Sequence, residues 1–350
     1  MLNAAFIIMQ YIYCMRYLPV LLLSIFSFTK QPSFRKIQIN GAAQGTTYHI
    51  TYFAPDSTIT QYQIDSILNK IDTSLSIYNP ASLITRFNNT DSGITMDNHF
   101  NIVLQKSLYT WQQTGGISEI TVGPLVQAWG FGPRKITTLP DSAAIRSLLP
   151  CIGSNLLYTK GNRLYKRKPC VHLDVNGIAQ GYSVDVLADF IEANGIRNYL
   201  VEVGGEIRVK GRKQPGNQKM KIGIEAPGDD AFQLSMIQKI ITTDSGAITT
   251  SGSYRKFYES DGKRISHIID PRTGYPSQNE LISVTVYARD AITADAFDNA
   301  LMVMGLKKAM AFVEKRNDIS AHFIYRTPTG AIADTATSRF YPLLQADSRN

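Results

Sequence analysis

His267 lies in the segment Ser266-His267-Ile268-Ile269-Asp270-Pro271-Arg272-Thr273-Gly274, where Pro271 and Gly274 stiffen the backbone around an imidazole. Downstream runs Thr293-Ala294-Asp295-Ala296-Phe297-Asp298-Asn299-Ala300-Leu301. On a helix that starts at Ala291 with Asp290 as its N-cap, Asp295, Asp298 and Asn299 fall at i, i+3 and i+4, so three oxygen-bearing side chains share one face. Oxygen-only donors suit a hard cation such as Mg2+, which keeps positions for water and ligand phosphates. The commoner fate of such a cluster is a solvated polar face. Here, however, Ala294, Ala296, Phe297, Ala300, Leu301, Val303 and Met304 make the helix apolar almost all round, which implies partly buried carboxylates in need of a counter-charge. His267 can serve as a general base near neutral pH or simply bond to its own turn.

Other segments carry weaker signals. Between Leu173 and Asp185, the small residues Gly177, Ala179 and Gly181 surround a helix start, which favours phosphate approach to backbone N–H groups or close packing of the helix. Asp174 can accept hydrogen bonds from a base or ribose. Gly204-Gly205 at a strand end reads first as a plain turn. In the stretch from Glu119 to Pro133, Trp129 and Phe131 are read as core packing, with a flat-ring pocket as the alternative.

The elements that must position these groups come in clusters of strands and helices. Strands are predicted at Thr46–Phe53, entered through Gly41 to Gly45, then at Tyr199–Val203, Ile207–Val209 and Met220–Ile224 as an antiparallel meander. Further strands are predicted at Ile240–Thr243, Leu281–Tyr287 and Ala321–Tyr325. Helical spacing appears at Ile64, Ile67, Leu68, Ile71 and Leu75, then over Asn98–Gln113, Ile178–Asn194, from Ala291, and over Leu306–Lys315. The turn Ser76 to Pro80 puts Tyr78 near a loop tip. Clustering without strict alternation predicts an α+β fold, one large domain with a mostly antiparallel sheet packed with helices.

The chain has 350 residues, 44% hydrophobic and 18% charged, with a net charge of +8, enough to bury a sizeable core. Its Lys and Arg residues are scattered without aromatic interleaving, so no nucleic-acid partner is expected and the charge favours anionic ligands. After Arg16, the apolar run Leu18–Phe28 has the length of a signal-peptide core. Residues 1–30 are therefore read as a signal peptide or an N-terminal membrane anchor, with Met15 as an alternative start, and export is expected. Cys14 precedes the apolar run; Cys151 and Cys170 are either a disulfide or two buried thiols. The five histidines are too far apart in sequence to suggest zinc.

Taken in order, Gly45-Thr46-Thr47-Tyr48, Tyr78 through Arg86-Phe87-Asn88, Thr121-Val122-Gly123-Pro124, Asp174 to Asp185, Val203-Gly204-Gly205, Ser251-Gly252 and Ser266 to Gly274 resemble the ApbE family of flavin transferases. These enzymes move FMN from FAD to a threonine or serine of a target protein. The resemblance implies an ApbE-like, T-fold-like domain over residues 37–345 on the periplasmic side of the inner membrane, with FAD as substrate and Mg2+ as cofactor. It implies FAD contacts at Gln44, Tyr78, Ile117, Ser118, Glu119, Asp174, Gln180 and Ile269. The metal would take the Gly177 carbonyl with Asp295, Asp298 and Asn299, and His267 would assist transfer, with Asp270 and Asp185 as other candidate bases or orienting groups. Gln44, Ile117-Ser118-Glu119, Asn176, Gln180 and Asn299 depart from the residues common in the family, though Asn299 keeps a ligating oxygen. The implied acceptor is a protein with a Ser/Thr flavinylation motif, a subunit of a membrane redox complex or an exported reductase. Metal-dependent FAD hydrolysis to FMN and AMP, and non-catalytic FAD binding, are the competing readings.

Overall fold

In a computed structural model of the protein, residues 33–225, 237–253, 257–260 and 263–345 are described, so the N-terminal segment read as a signal or anchor lies outside them. The first strands, β1 (Arg35–Ala43) and β2 (Thr46–Ala54), pair in register through the two-residue loop Gln44-Gly45, whose φ values of 55° and 73° match the twist of a tight hairpin. The stretch before residue 46 is thus a full strand, where the sequence suggested only a lead-in. Helix α1 (Gln61–Leu75) opens on a capping box between Thr60 and Gln63 and buries Ile64, Leu68, Ile71 and Leu75, as its spacing predicts. Next come α2 (Leu83–Asn88), β3 (Ile94–Thr95) and α3 (Asn98–Gln113), the last capped by the Asp97 side chain. Short helices α4 (Gly123–Ala128) and α5 (Ser142–Leu148) precede the hairpin β4 (Leu157–Lys160) and β5 (Arg163–Lys166), to which β3 adds.

After α6 (Ala179–Ala193), strands β6 (Tyr199–Val203) and β7 (Glu206–Lys210) form a hairpin around Gly204-Gly205. The plain-turn reading of those glycines fits. The expected meander does not continue: β8 (Met220–Glu225) leaves to pair with β9 (Ile237–Thr243), and β10 (Ser245–Gly252) takes the place beside β7. A short ladder, β11 (Phe257–Ser260) with β12 (Lys263–Ser266), leads to His267. The chain then runs through β13 (Leu281–Ala288), α7 (Ala291–Met304), α8 (Leu306–Glu314), β14 (Ile319–Arg326) and β15 (Ile332–Ala336).

The main sheet has eight strands in the order β1-β2-β6-β7-β10-β13-β14-β15, every neighbouring pair antiparallel. On one face α1 and α6 pack over Tyr48, Ile50, Tyr52 and Val201, while α7 and α8 pack over Val284, Val286, Ala321 and Phe323. The other face is apolar around Val209, Ile248 and Ile324, which Ile222, Ile224 and Ile241 of the β8–β9 ladder cover. A further layer, centred on Phe87, Phe100, Leu104, Leu164 and Leu173, reaches α6 and α7 through Tyr182, Ile292 and Ala296. This α+β architecture with a mostly antiparallel sheet is the predicted class, and α7 lies at the junction of its layers.

Candidate active site

α7 carries the acidic face into the interior. Its N-cap, Asp290, accepts from Thr293 N–H at 3.0 Å, and Asp185 of α6 accepts from Ala291 N–H at 3.0 Å and Ile292 N–H at 2.8 Å. Arg208 donates to Asp185 at 2.9 Å, so this carboxylate is committed to anchoring a helix start. One turn on, Asp295 and Asp298 are 4% and 2% exposed. Asp295 Oδ2 accepts the Gly181 N–H at 2.8 Å; Asp298 Oδ2 accepts the Thr249 hydroxyl at 2.8 Å. Burial pushes both carboxyls up, opposed at Asp295 by the Gly181 N–H and reinforced at Asp298 by the charges of Asp295 and Glu206. Among the described residues neither has an ion-pair partner, and Asp298 Oδ1 is a buried oxygen without a hydrogen bond.

Gly181 is small because α6 and α7 touch there: a Cβ would stand 2.5 Å from Ala291 O and 2.6 Å from Asp295 Cβ. Of the two readings of the small-residue pattern, close packing accounts for this glycine. Gly177 instead faces Asn299, whose Nδ2 would be 2.6 Å from an added Cβ, while Asn299 Oδ1 accepts from Ser251 Oγ at 2.6 Å.

Gly177 and Asn299 border a cavity of about 570 Å3, a volume suited to a small-molecule ligand. It brings together His267, Tyr78, Ile117, Ser118, Glu119, Asp174 and Ile269 from the sequence-derived set, with Phe131 and Val303 among its apolar walls. Tyr78 sits exposed at the rim, its phenol pushed up by burial of part of the ring and by the Asp174 charge. Asp174 is held by its own N–H to Ile120 O at 2.8 Å and accepts from Asn176 N–H at 2.9 Å. Both Glu119 oxygens bond to the protein itself, taking Thr121 N–H at 2.9 Å, Ser154 N–H at 2.8 Å and Ser154 Oγ at 2.6 Å.

Four residues of that set do not line the cavity. Asp295 and Asp298 lie behind Asn299 on α7. Gln44 donates to Ser183 Oγ at 2.9 Å, and Gln180 packs against Gly204.

The His267 wall is built by a tight loop. Asp270 O accepts Gly274 N–H at 2.8 Å, and Trp129 Nε1–H closes on Gly274 O at 2.7 Å. Gly274 has φ of 79°, and a Cβ there would strike Ile145 at 2.6 Å. Trp129 is therefore core packing, as expected, whereas Phe131 lines the cavity edge-on to the His267 ring at 6.1 Å between centroids. Burial raises the Asp270 carboxyl, but the hydrogen bonds and charge of Arg272 outweigh it and hold the group below its usual range. Such a carboxylate is a poor base.

Two contributors went unread in the sequence: the hydroxyl of Thr249 on β10, which bonds to Asp298, and Glu206, whose charge reaches Asp298; Ser251, noted only as part of a motif, holds Asn299. A threonine- and serine-rich strand facing an acidic helix was the available signal. Asn88, noted only as part of a motif, clamps Leu173 through N–H to Oδ1 at 2.7 Å and Nδ2–H to the carbonyl at 2.9 Å.

No group of three or more His, Cys, Asp or Glu side chains stands ready for a metal among the described residues. The donors at α7 are instead two carboxylates, an amide and the backbone near Gly177. An orphaned buried carboxylate oxygen and uncompensated charge fit a hard divalent cation there.

The model of the ApbE family matches residues 44–323. The chain is 38% identical to the FAD:protein FMN transferase of Vibrio cholerae, covering 88% of this chain and 93% of that one, and 35% identical to its namesake in Haemophilus influenzae, covering 88% and 92%. Among solved structures, the flavin transferase ApbE from Vibrio cholerae superposes with a TM-score of 0.79 at 36% identity, over 89% of this chain and all of that one. The apo flavinyl transferase ApbE of Pseudomonas stutzeri gives 0.79 at 32% identity, over 89% and 98%. On the family match over residues 44–323, these identities and these superpositions, the chain belongs to the ApbE family.

Proposed function

We propose that the protein is an FAD:protein FMN transferase that is Mg2+-dependent and modifies a Thr or Ser hydroxyl of an exported target. The observation that carries the metal-dependent reading is the buried pair Asp295 and Asp298, with an orphaned oxygen and no cationic partner among the described residues, directly behind the Asn299 edge of the cavity. Asp295 and Asp298, with an Asn299 oxygen and the Gly177 carbonyl, would hold Mg2+, which when bound neutralises charge on the FAD pyrophosphate. Phe131 and the apolar side chains of Ile117 and Val303 exclude water from the reacting phosphorus. His267 orients the acceptor hydroxyl and takes its proton as the oxygen bonds to the FMN phosphorus; the pyrophosphate bond breaks and AMP leaves.

The Cys151–Cys170 disulfide supports an oxidising compartment, in line with export to the periplasmic side of the membrane. The acceptor is a flavin-bearing subunit of a membrane redox complex or an exported reductase. Incubating the purified protein with FAD, Mg2+ and a domain carrying a Ser/Thr flavinylation motif tests the reading. Covalent flavin on the acceptor with release of AMP is expected. Free FMN and AMP would instead identify a pyrophosphatase, and unchanged bound FAD a carrier.

A further inference from the structure

The cavity wall from Ile117 to Val122 is gripped from both sides. On one side lies the turn at Gly153-Ser154: Ser154 N–H and Oγ both donate to Glu119, and Gly153 N–H donates to Thr121 Oγ1 at 2.6 Å. On the other side Asp174 N–H donates to Ile120 O at 2.8 Å, and Val122 bridges His172 in parallel. Cys151 stands two positions before Gly153, and Cys170 two positions before His172. Their disulfide, with Cα atoms 5.5 Å apart, joins the two flanking segments around the wall. Cys151 is buried at 7% exposure, whereas Cys170 is exposed to solvent.

We infer that the Cys151–Cys170 bond is a redox-sensitive clasp that positions Glu119 and Asp174, and through them sets how tightly the cavity holds FAD. The inference rests on the FAD-binding reading of that cavity. An external dithiol opens the clasp by thiolate attack on the exposed Cys170 sulfur, with Cys151 leaving as thiolate and taking up a proton. The second thiol of the reagent then releases Cys170 as a thiol and forms the reagent's own disulfide, so two electrons pass from reagent to protein. Once opened, the two segments stay joined by the β4–β5 hairpin, by Arg167 N–H to Leu156 O at 2.8 Å and by Lys168 Nζ to Pro150 O at 2.8 Å, but the turn at Gly153-Ser154 and the segment at Val171-His172 lose their covalent tie on either side of the wall. Part of the cost of ordering the wall then falls on the ligand and appears in binding.

The test compares oxidised protein, dithiol-reduced protein, the double variant C151S/C170S and Ser154→Ala. FAD binding is read by flavin fluorescence, KM and kcat by FMN transfer to an acceptor domain, and protection of residues 117–122 by hydrogen exchange without ligand. Reduction and the double substitution are expected to weaken FAD binding about tenfold, equivalent to about 1.4 kcal/mol. KM should rise while kcat at saturating FAD changes little, and residues 117–122 should exchange faster. Ser154→Ala keeps the disulfide and should weaken FAD binding in the same direction, which decides the matter if the reduced protein unfolds. Equal FAD affinity and equal protection in all four samples, with only a lower melting temperature after reduction, would overturn the clasp. If the oxidised protein binds no FAD at all, the functional reading fails, and the exchange of residues 117–122 still reports whether the clasp exists.

Discussion

Gly181→Ala puts one methyl group into the contact on which the acidic face of α7 depends. The added carbon would lie 2.5 Å from the Ala291 carbonyl oxygen and 2.6 Å from Asp295 Cβ, where real Cβ contacts begin at 3.0–3.4 Å. Because the obstacle is backbone and not the end of a flexible side chain, α6 and α7 must part by about 0.5–0.9 Å. Overpacking of this kind costs roughly 1–3 kcal/mol, offset by about 1 kcal/mol of better helix propensity. The net loss of about 0–2 kcal/mol corresponds to a melting temperature lower by up to roughly 6 °C for a domain of this size. Function should suffer more than stability, because Asp295 moves with α7 and its 2.8 Å bond from Gly181 N–H lengthens. A misplacement near 1 Å in a metal-ligating carboxylate costs about a hundredfold in rate. FMN transfer at saturating FAD and graded Mg2+, measured beside a thermal melt, gives both numbers. Wild-type transfer at every Mg2+ concentration with an unchanged melt would refute the packing argument and the placement of Asp295 at the metal together.

Other expectations follow from the same geometry. Asp298→Asn removes a buried carboxyl whose ionisation burial opposes, so in Mg2+-free buffer at pH 8 the variant should be more stable by about 1 kcal/mol or more, yet show none of the rise in melting temperature expected when Mg2+ is added to the parent. A variant that melts lower without Mg2+ would contradict the charge assignment. Ser251→Ala frees the Asn299 amide to rotate and should weaken Mg2+ binding about tenfold to a hundredfold by calorimetry. His322 is 1% exposed, and burial lowers its imidazole despite the hydrogen bond to Asp334 at 3.0 Å. The unfolded chain therefore takes up a proton near pH 6.5 that the folded chain resists, so stability is full above about pH 6.5 and falls as pH drops toward the lower folded value. His322→Gln should flatten that slope in melts between about pH 5 and 7.

What could be read from the sequence depended on whether the relevant neighbours were local. Asp295, Asp298 and Asn299 were legible because helical spacing alone puts them on one face, and the apolar residues around them signal burial. Asn98–Gln113 was legible because its apolar residues recur at helical spacing and Gly115-Gly116 follow as a stop, while the Asp97 cap emerged only from the structure. By contrast, Thr249 and Ser251 meet α7 only because β10 inserts between β7 and β13, a pairing set by the whole sheet. Glu119 carried the same difficulty: its place in the cavity wall was foreseen, but the commitment of its carboxylate to Ser154, a partner 35 residues away, was not legible. Strand β1 escaped notice because an edge strand with charged and polar alternate positions gains its structure from the ladder with β2 and has little hydrophobic signal of its own.

The fate of these carboxylates narrows the question of where a proton goes during transfer. Four titratable side chains line the cavity among the described residues: Tyr78, Glu119, Asp174 and His267. Tyr78 is pushed up from an ordinary phenol and stays protonated at neutral pH. Glu119 has both oxygens occupied, and Asp174 spends one oxygen on Asn176 N–H at the Tyr78 rim. Outside the cavity, Asp270 is paired with Arg272, and Asp185 holds the start of α7. His267 is thus the lining group with the chemistry to accept a hydroxyl proton, and its loop is braced by Trp129 so that the ring keeps its place against Phe131. For the proposed transfer this divides the labour: the acidic residues would hold and orient, and the proton would go to the imidazole.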